Sequence, residues 1–226
     1  MMIFECPLCG SSTQNAHGLC SECDALLPRP LRPCRRCSAE LAAQGPWRDY
    51  CETCLLAPPS FDRCLTAFQY VFPVRELIAG FKFRADFAIG RTLALLLAAR
   101  MANAWSDAQD TPVLIPVPLH RSRLRARGFN QSALIAEALA AQCNLTVSRQ
   151  HCRRVRDTHS QRGLRAAERG SNLQHAFALN NPDLVYPHVV IVDDVVTTTA
   201  TIEEVARLYR RAGTRRIDVA CLARVS

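Results

Sequence analysis

Residues 188–208 read HVVIVDDVVTTTATIEEVARL. The run Val189–Val192 is apolar and largely β-branched, the composition of a strand buried on both faces, as in a parallel sheet. It meets two adjacent carboxylates, Asp193 and Asp194, and then Val195 and Val196. A threonine-rich turn follows (Thr197, Thr198, Thr199, Ala200, Thr201), and after it a pattern of helical period that closes at Gly213. The segment RIDVACLAR, 216–224, is a second apolar strand. Further upstream, VRELIAGFKF, IGRTLALLLAARMANAW and QSALIAEALAAQ have helical spacing, the last capped by Asn130. LTAFQYVF (65–72), PVLIPVPL (112–119) and AFAL (176–179) read as strands. Strands alternating with helices predict an α/β fold: a mostly parallel sheet covered on both faces.

In an open parallel sheet, ligands sit at the carboxyl ends of the strands. Asp193 and Asp194 stand on that rim. The following helix N-terminus offers free N–H groups and a partial positive charge, a cradle for phosphate, and the threonine hydroxyls add donors. Adjacent carboxylates repel phosphate but suit hydroxyl groups and Mg²⁺ a few ångströms away. A ligand with phosphate at one end and vicinal hydroxyls in its middle is a 5-phosphoribosyl group. The competing reading is local: one aspartate starts a turn, and Thr201 with Glu204 forms a capping box. Two carboxylates at the tip of an apolar run are costly to bury for so small a purpose.

The N-terminal quarter has a different grammar. Of 12 cysteines, eight lie before residue 55 as four CxxC pairs: Cys6/Cys9, Cys20/Cys23, Cys34/Cys37 and Cys51/Cys54. Each pair sets two thiolates on a tight knuckle, and two knuckles complete a tetrahedral Zn²⁺ site. Gly10 follows Cys9 where the knuckle turns. Sequential pairing closes the shorter loops, so two structural Zn²⁺ ions are expected in a double ribbon over 1–57. A linker containing Pro58-Pro59 then leads into a second domain over 58–226. Cys64, Cys143, Cys152 and Cys221 read as buried structural thiols. The chain shows no secretory signal at MMIFECPLCG and no run approaching the roughly 20 apolar residues of a membrane span. A cytoplasmic protein without membrane insertion is expected. The net charge of +8 rests on 27 arginines and one lysine, Lys82. That surplus suits phosphates or nucleic acid, and arginine-rich codon usage explains it equally well.

The rim sequence VVIVDDVVTTTAT resembles the phosphoribosyl-pyrophosphate (PRPP) motif of type I phosphoribosyltransferases. LIPVPLHRSRLRARGFNQS, the DTHSQRGL segment and the tandem CxxC head are similar to the ComF/GntX family of phosphoribosyltransferase-like proteins, over nearly the whole chain. The resemblance implies that Asp193 and Asp194 hold ribose hydroxyls and that the loop Val195–Thr201 holds the 5′-phosphate. It implies PRPP with Mg²⁺ as ligand, pentosyl transfer to an unnamed acceptor, and a part in competence or use of external DNA together with DNA-processing proteins. Such transfer needs cations at the departing pyrophosphate. Arg121, Arg123, Arg125 and Arg127 are candidates; spaced by two, they favour a loop or one dominant arginine, and Arg127 beside Gly128 is chosen. Lys82 in FKFR is either a required point charge or a chance survivor. Thr158, Gln161 and Arg162 match the family segment where type I enzymes carry a flap. His120 reads as a hydrogen-bonded surface residue. A hood over an acceptor is expected from residues 61–90 or from the ribbons. The resemblance has one departure: the family loop carries Gly where this chain has Thr199, and Ser where it has Ala200. A left-handed backbone there is costly for a β-branched residue, so either the loop is rebuilt or its phosphate grip is weaker. The rival function is a single-stranded DNA adaptor on a retired enzyme scaffold, and a weaker one is a sensor that binds without turnover.

Overall fold

Both cysteine-rich units of the computed structural model are shaped by their CxxC knuckles; the structure describes residues 3–43, 49–106, 108–157 and 175–225. In the first unit, β1 (Phe4–Glu5) pairs antiparallel with β2 (Ser12–Thr13), and α1 (Ser21–Ala25) carries Cys23. Gly10 takes φ +76°, the turn expected of it, and Ser38 holds the equivalent place behind Cys37 at φ +56°. In the second unit α2 (Glu52–Leu56) carries Cys54.

Beyond the linker come β3 (Arg63–Gln69), α3 (Val74–Arg84), α4 (Phe87–Met101), β4 (Val113–Pro116), α5 (Arg121–Arg127), α6 (Gln131–Cys143) and β5 (Thr146–Val147). The chain continues through β6 (Cys152–Arg154), β7 (Phe177–Leu179), β8 (His188–Val196), α7 (Ala200–Arg211) and β9 (Arg216–Arg224). A five-stranded sheet runs in the order β3-β9-β8-β4-β5 with every pairing parallel. Period-two alternation divides its core. Val190, Val192, Ala220 and Leu222 face α3, α4 and α6, whereas Val189, Ile191, Ile217 and Val219 face α7.

Two expectations needed correction. AFAL does not join the main sheet; β7 pairs antiparallel with β6 in a separate ribbon. The arginine-spaced segment 121–127 is a helix, not a loop. Its sequence hides this because no residue of α5 is buried, so no apolar stripe marks it. Local chemistry makes it instead: His120 Nδ1 accepts from the Ser122 N–H at the start, and Gly128 at φ +83° stops it. Asn130 caps α6 as expected, accepting from the Ser132 N–H at 3.0 Å. Of the four scattered thiols, Cys64, Cys152 and Cys221 are buried, while Cys143 at the end of α6 is half-exposed.

The ribbons lie on the sheet domain rather than apart from it. Cys6, Leu19, Cys23 and Leu27 share the core of Phe68, Ile89 and Leu93; Cys34, Cys37, Leu41 and Cys54 share that of Phe61, Ile202 and Val205. The stretch joining the two units follows the outer edge of β3. Pro28 accepts from the Gln69 N–H (2.9 Å), Arg36 accepts from the Cys64 N–H (2.7 Å), and Ser38 Oγ donates to the Cys64 carbonyl (2.6 Å). Near the amino end of the sheet, fully buried Asp218 on β9 accepts from Trp105 Nε1 (2.7 Å), Arg63 Nε (3.1 Å) and His188 Nε2 (3.3 Å). No helix among the described residues is long and apolar enough to cross a membrane.

Candidate phosphoribosyl site and cysteine tetrads

Strand β8 carries the acidic pair to the rim, and its pleat sends the two side chains to different neighbours. Asp193 Oδ1 accepts from Ser132 Oγ and from the Asp194 N–H, both at 2.9 Å. Burial and the Asp194 charge push the Asp193 carboxyl up to about 7, against the pull of Lys82, the Asp194 amide and Ser132. Asp194 is buried; its Oδ1 accepts from the Val195 N–H at 2.7 Å. Its Oδ2 lies 2.6 Å from Lys82 Nζ yet receives no aligned hydrogen bond, so the contact is an ion pair alone. Lys82 sits in the last turn of α3, mostly covered.

Lys82 also lines a cleft of about 860 Å³, together with Phe83, Arg123, Arg127, Phe129 and Gln131. The volume falls within the roughly 300–1,000 Å³ of small-molecule sites. The α5 helix turns the arginine series into a division of labour. Arg123 and Arg127, four residues apart, share the face that lines the cleft, while Arg121 and Arg125 are exposed elsewhere. Arg127 is held by Gln131 Oε1 at 2.6 Å and lies over the Phe83 ring, 5.4 Å from its centroid. Burial depresses its guanidinium and Asp194 supports its charge.

On the other side of the rim, Asp193 and Val195–Ile202 enclose a small hollow. Val195 and Val196 belong to β8, Thr197–Thr199 form the turn, and Ala200 and Thr201 open α7. Thr199 adopts φ +60°, ψ −11°, so the loop is not rebuilt around the missing glycine: a β-branched residue occupies the left-handed conformation. Its Oγ1 donates to the Thr198 carbonyl at 2.6 Å instead of capping α7. The capping box does not form, since Thr199 is the cap residue and Glu204 accepts from the His175 N–H. Thr158, Gln161 and Arg162 lie outside the described residues. The first half of the chain contributes α3, which supplies Lys82 and Phe83 from the 61–90 region named for a hood.

Ser132 and the two phenylalanines were not singled out from sequence, and Arg123 was a candidate set behind Arg127. The i,i+4 spacing of Arg123 and Arg127 was a usable signal; the reach of Ser132 across 61 residues to Asp193 was not.

The eight ribbon thiols gather sequentially, Cys6/Cys9/Cys20/Cys23 and Cys34/Cys37/Cys51/Cys54, with the sulfurs of each set within 4.8 Å of one another. The Cys9–Cys20 and Cys37–Cys51 separations, 3.6 and 3.5 Å, approach the edge of about 3.8 Å that Zn–S bonds of about 2.3 Å dictate. Burial raises the Cys6 thiol, but backbone amides of Cys20, Leu8 and Cys9 outweigh it and hold it at about 6. Cys34, buried likewise, is brought to about 7 by the amides of Cys37, Cys51 and Arg36. The thiolate form is thus favoured at Cys6, Cys9 and Cys34 without a cation, and the donor set fits zinc.

Comparison with known proteins bears on both regions. A phosphoribosyl transferase domain model matches residues 127–226, the stretch from Arg127 through β8, the turn, α7 and β9. Over the whole length, the chain is 36% identical to Competence protein F of Haemophilus influenzae, covering 98% of this chain and 97% of that protein. It is 36% identical to the DNA utilization protein YhgH of Salmonella typhimurium, covering 97% and 96%. To YhgH of Escherichia coli it is 33% identical, covering 97% and 89%.

Proposed function

The chain belongs to the ComF/GntX family of phosphoribosyltransferase-like proteins, and from that premise we propose that the β8 rim binds PRPP with Mg²⁺. The observation that carries this reading is the rim itself. Asp193 and Asp194 end an otherwise apolar strand, one oxygen of Asp194 lacks an aligned hydrogen bond, and a threonine hollow opens beside them. Ribose hydroxyls would bond the carboxylates, and the 5′-phosphate would take the amides and hydroxyls of Thr197–Thr201. Lys82, Arg123 and Arg127 line the adjoining cleft, where the C1–O bond breaks and pyrophosphate leaves with the electron pair. Hard carboxylate oxygens fit Mg²⁺, which would neutralise charge on that leaving group. In this reading residues 1–57 are a double zinc ribbon and residues 58–226 the phosphoribosyl domain, serving competence or DNA utilisation as the names of the relatives suggest. Titration calorimetry of PRPP with and without Mg²⁺ tests it: binding should require Mg²⁺ and vanish in Asp193→Asn/Asp194→Asn. Unchanged affinity in that double variant ends the reading.

One observation favours a second ligand at the same cleft. Phe83, 64% exposed, lines the cleft with Lys82, Arg123 and Arg127, and Phe87, 52% exposed, packs edge-on against the cleft residue Phe129, an arrangement of aromatic rings and phosphate partners that suits single-stranded DNA. Binding should then weaken steeply between about 50 and 200 mM salt; a flat salt response in filter binding rejects it.

A further inference from the structure

The two cysteine tetrads are not equivalent in what they touch. The first shares a core with α4; the second shares one with Val196, Ile202 and Val205, the residues that bracket the turn. A single side chain makes the second connection polar as well. Arg224, the last residue of β9, lies in register with Val196, the last residue of β8. Its Nε donates to the carbonyl of Cys37, a knuckle residue of the second tetrad, at 3.2 Å. Its Nη1 donates to the carbonyls of Val196 (3.0 Å), Thr197 and Val225 (2.9 Å). Among the described residues, all these bonds go to main-chain oxygens. The planar guanidinium therefore fixes the direction of one backbone relative to another, which a point charge cannot do.

We propose that Arg224 is a positioning residue through which metal loading of the second cysteine tetrad sets the shape of the 196–201 turn. With an ion in place, the Cys37 knuckle is rigid and its carbonyl anchors Nε, which aims Nη1 at Val196 and Thr197. With the tetrad empty, the knuckle loses the metal–sulfur bonds that hold it, the guanidinium loses that anchor, and the turn amides spread. A second tie points the same way: Glu203 on α7 accepts from the N–H and Oγ of Ser60, at the end of the linker that follows the second unit. The coupling stands on these contacts; only its effect on a ligand rests on the phosphoribosyl reading of the turn.

Hydrogen exchange of the full chain, with zinc content measured in parallel, tests it. In Arg224→Met both tetrads should keep zinc while amides 196–201 exchange about tenfold faster, the scale expected for lost charge-assisted bonds. Cys51→Ser, which empties the second tetrad, should produce the same acceleration, and Cys9→Ser in the first tetrad none. The combination Arg224→Met/Cys51→Ser should be no faster than either alone, because both break one linkage. If Cys51→Ser does not fold, brief chelation of the wild type and of Arg224→Met gives the same comparison. Unmoved exchange in Arg224→Met, or accelerations that add in the combination, overturns the proposal. In a binding arm, affinity for ribose 5-phosphate should fall about tenfold in Arg224→Met and in Cys51→Ser and stay unchanged in Cys9→Ser. A wild type that binds no ribose 5-phosphate refutes the phosphoribosyl reading alone, and exchange then decides the coupling.

Discussion

Asp218 and Asp193 stand on neighbouring strands of one sheet, three register positions or about 10 Å apart, and their surroundings drive them in opposite directions. Burial raises Asp218, but His188, Arg63, Trp105 and Arg216 overcome it and hold the carboxyl at about 2. Asp193 is pushed to about 7, with burial and a second carboxylate against it. Near its amino end the sheet buries an acid and satisfies it. At the carboxyl rim Asp193 has two hydrogen bonds but stands beside a second carboxylate, with a single lysine, on Asp194, as the neighbouring counter-charge. That contrast is what the proposed ligand role of the rim predicts.

Breaking the satisfied end should have the largest effect. Asp218→Ala leaves Arg63, Arg216 and His188 without their buried partner and should cost about 3–5 kcal/mol in urea denaturation, with ligand affinity per folded molecule unchanged. Next, Asp193→Asn/Asp194→Asn should lower phosphoribosyl affinity by about a hundredfold or more, while Asp193→Asn alone, which keeps the Lys82–Asp194 ion pair, should raise the unfolding temperature because it removes one of two like charges. If Asp193→Asn instead loses stability, Asp193 is architectural and the contrast fails.

Acidity sharpens the comparison. Asp218 is depressed, so its contribution of about 2–3 kcal/mol is present above the unfolded value near 4 and is lost as pH falls toward about 2. Asp193 is raised, so the native state holds an extra proton between about 4 and 7, and stability declines as pH rises through that window. Magnesium-dependent binding should therefore strengthen as pH passes about 7, and Lys82→Met should move that midpoint upward. Calorimetry at stepped pH measures both. The smallest effect belongs to Thr199→Gly: relieving the left-handed threonine should stabilise the fold by about 1 kcal/mol in thermal unfolding.

What could be read in advance follows the range of the forces involved. The β8 run and the CxxC knuckles were legible because their chemistry is local: hydrophobic periodicity in one, a two-residue turn in the other. Helix α5 was not, because it exists through His120 and Gly128 without a buried face. The positive φ of Thr199 was flagged only as a conflict between residue type and an assumed backbone, and the structure resolves it in favour of the backbone. Contacts such as Ser132 with Asp193, or Arg224 with Cys37, join residues 61 and 187 positions apart and leave no pattern in the chain.

The stretch 28–38 along the edge of β3 also has a consequence for handling the protein. The carbonyls of Pro28 and Arg36 and the hydroxyl of Ser38 take up edge groups of Gln69 and Cys64 that another strand would otherwise pair with. That cover is anchored at both ends by thiol clusters, so if these hold zinc, a chelator should do more than strip the ions: it should uncap the edge of seven-residue β3. Demetallated samples should grow in size over time, by light scattering, through strand-to-strand recruitment between molecules.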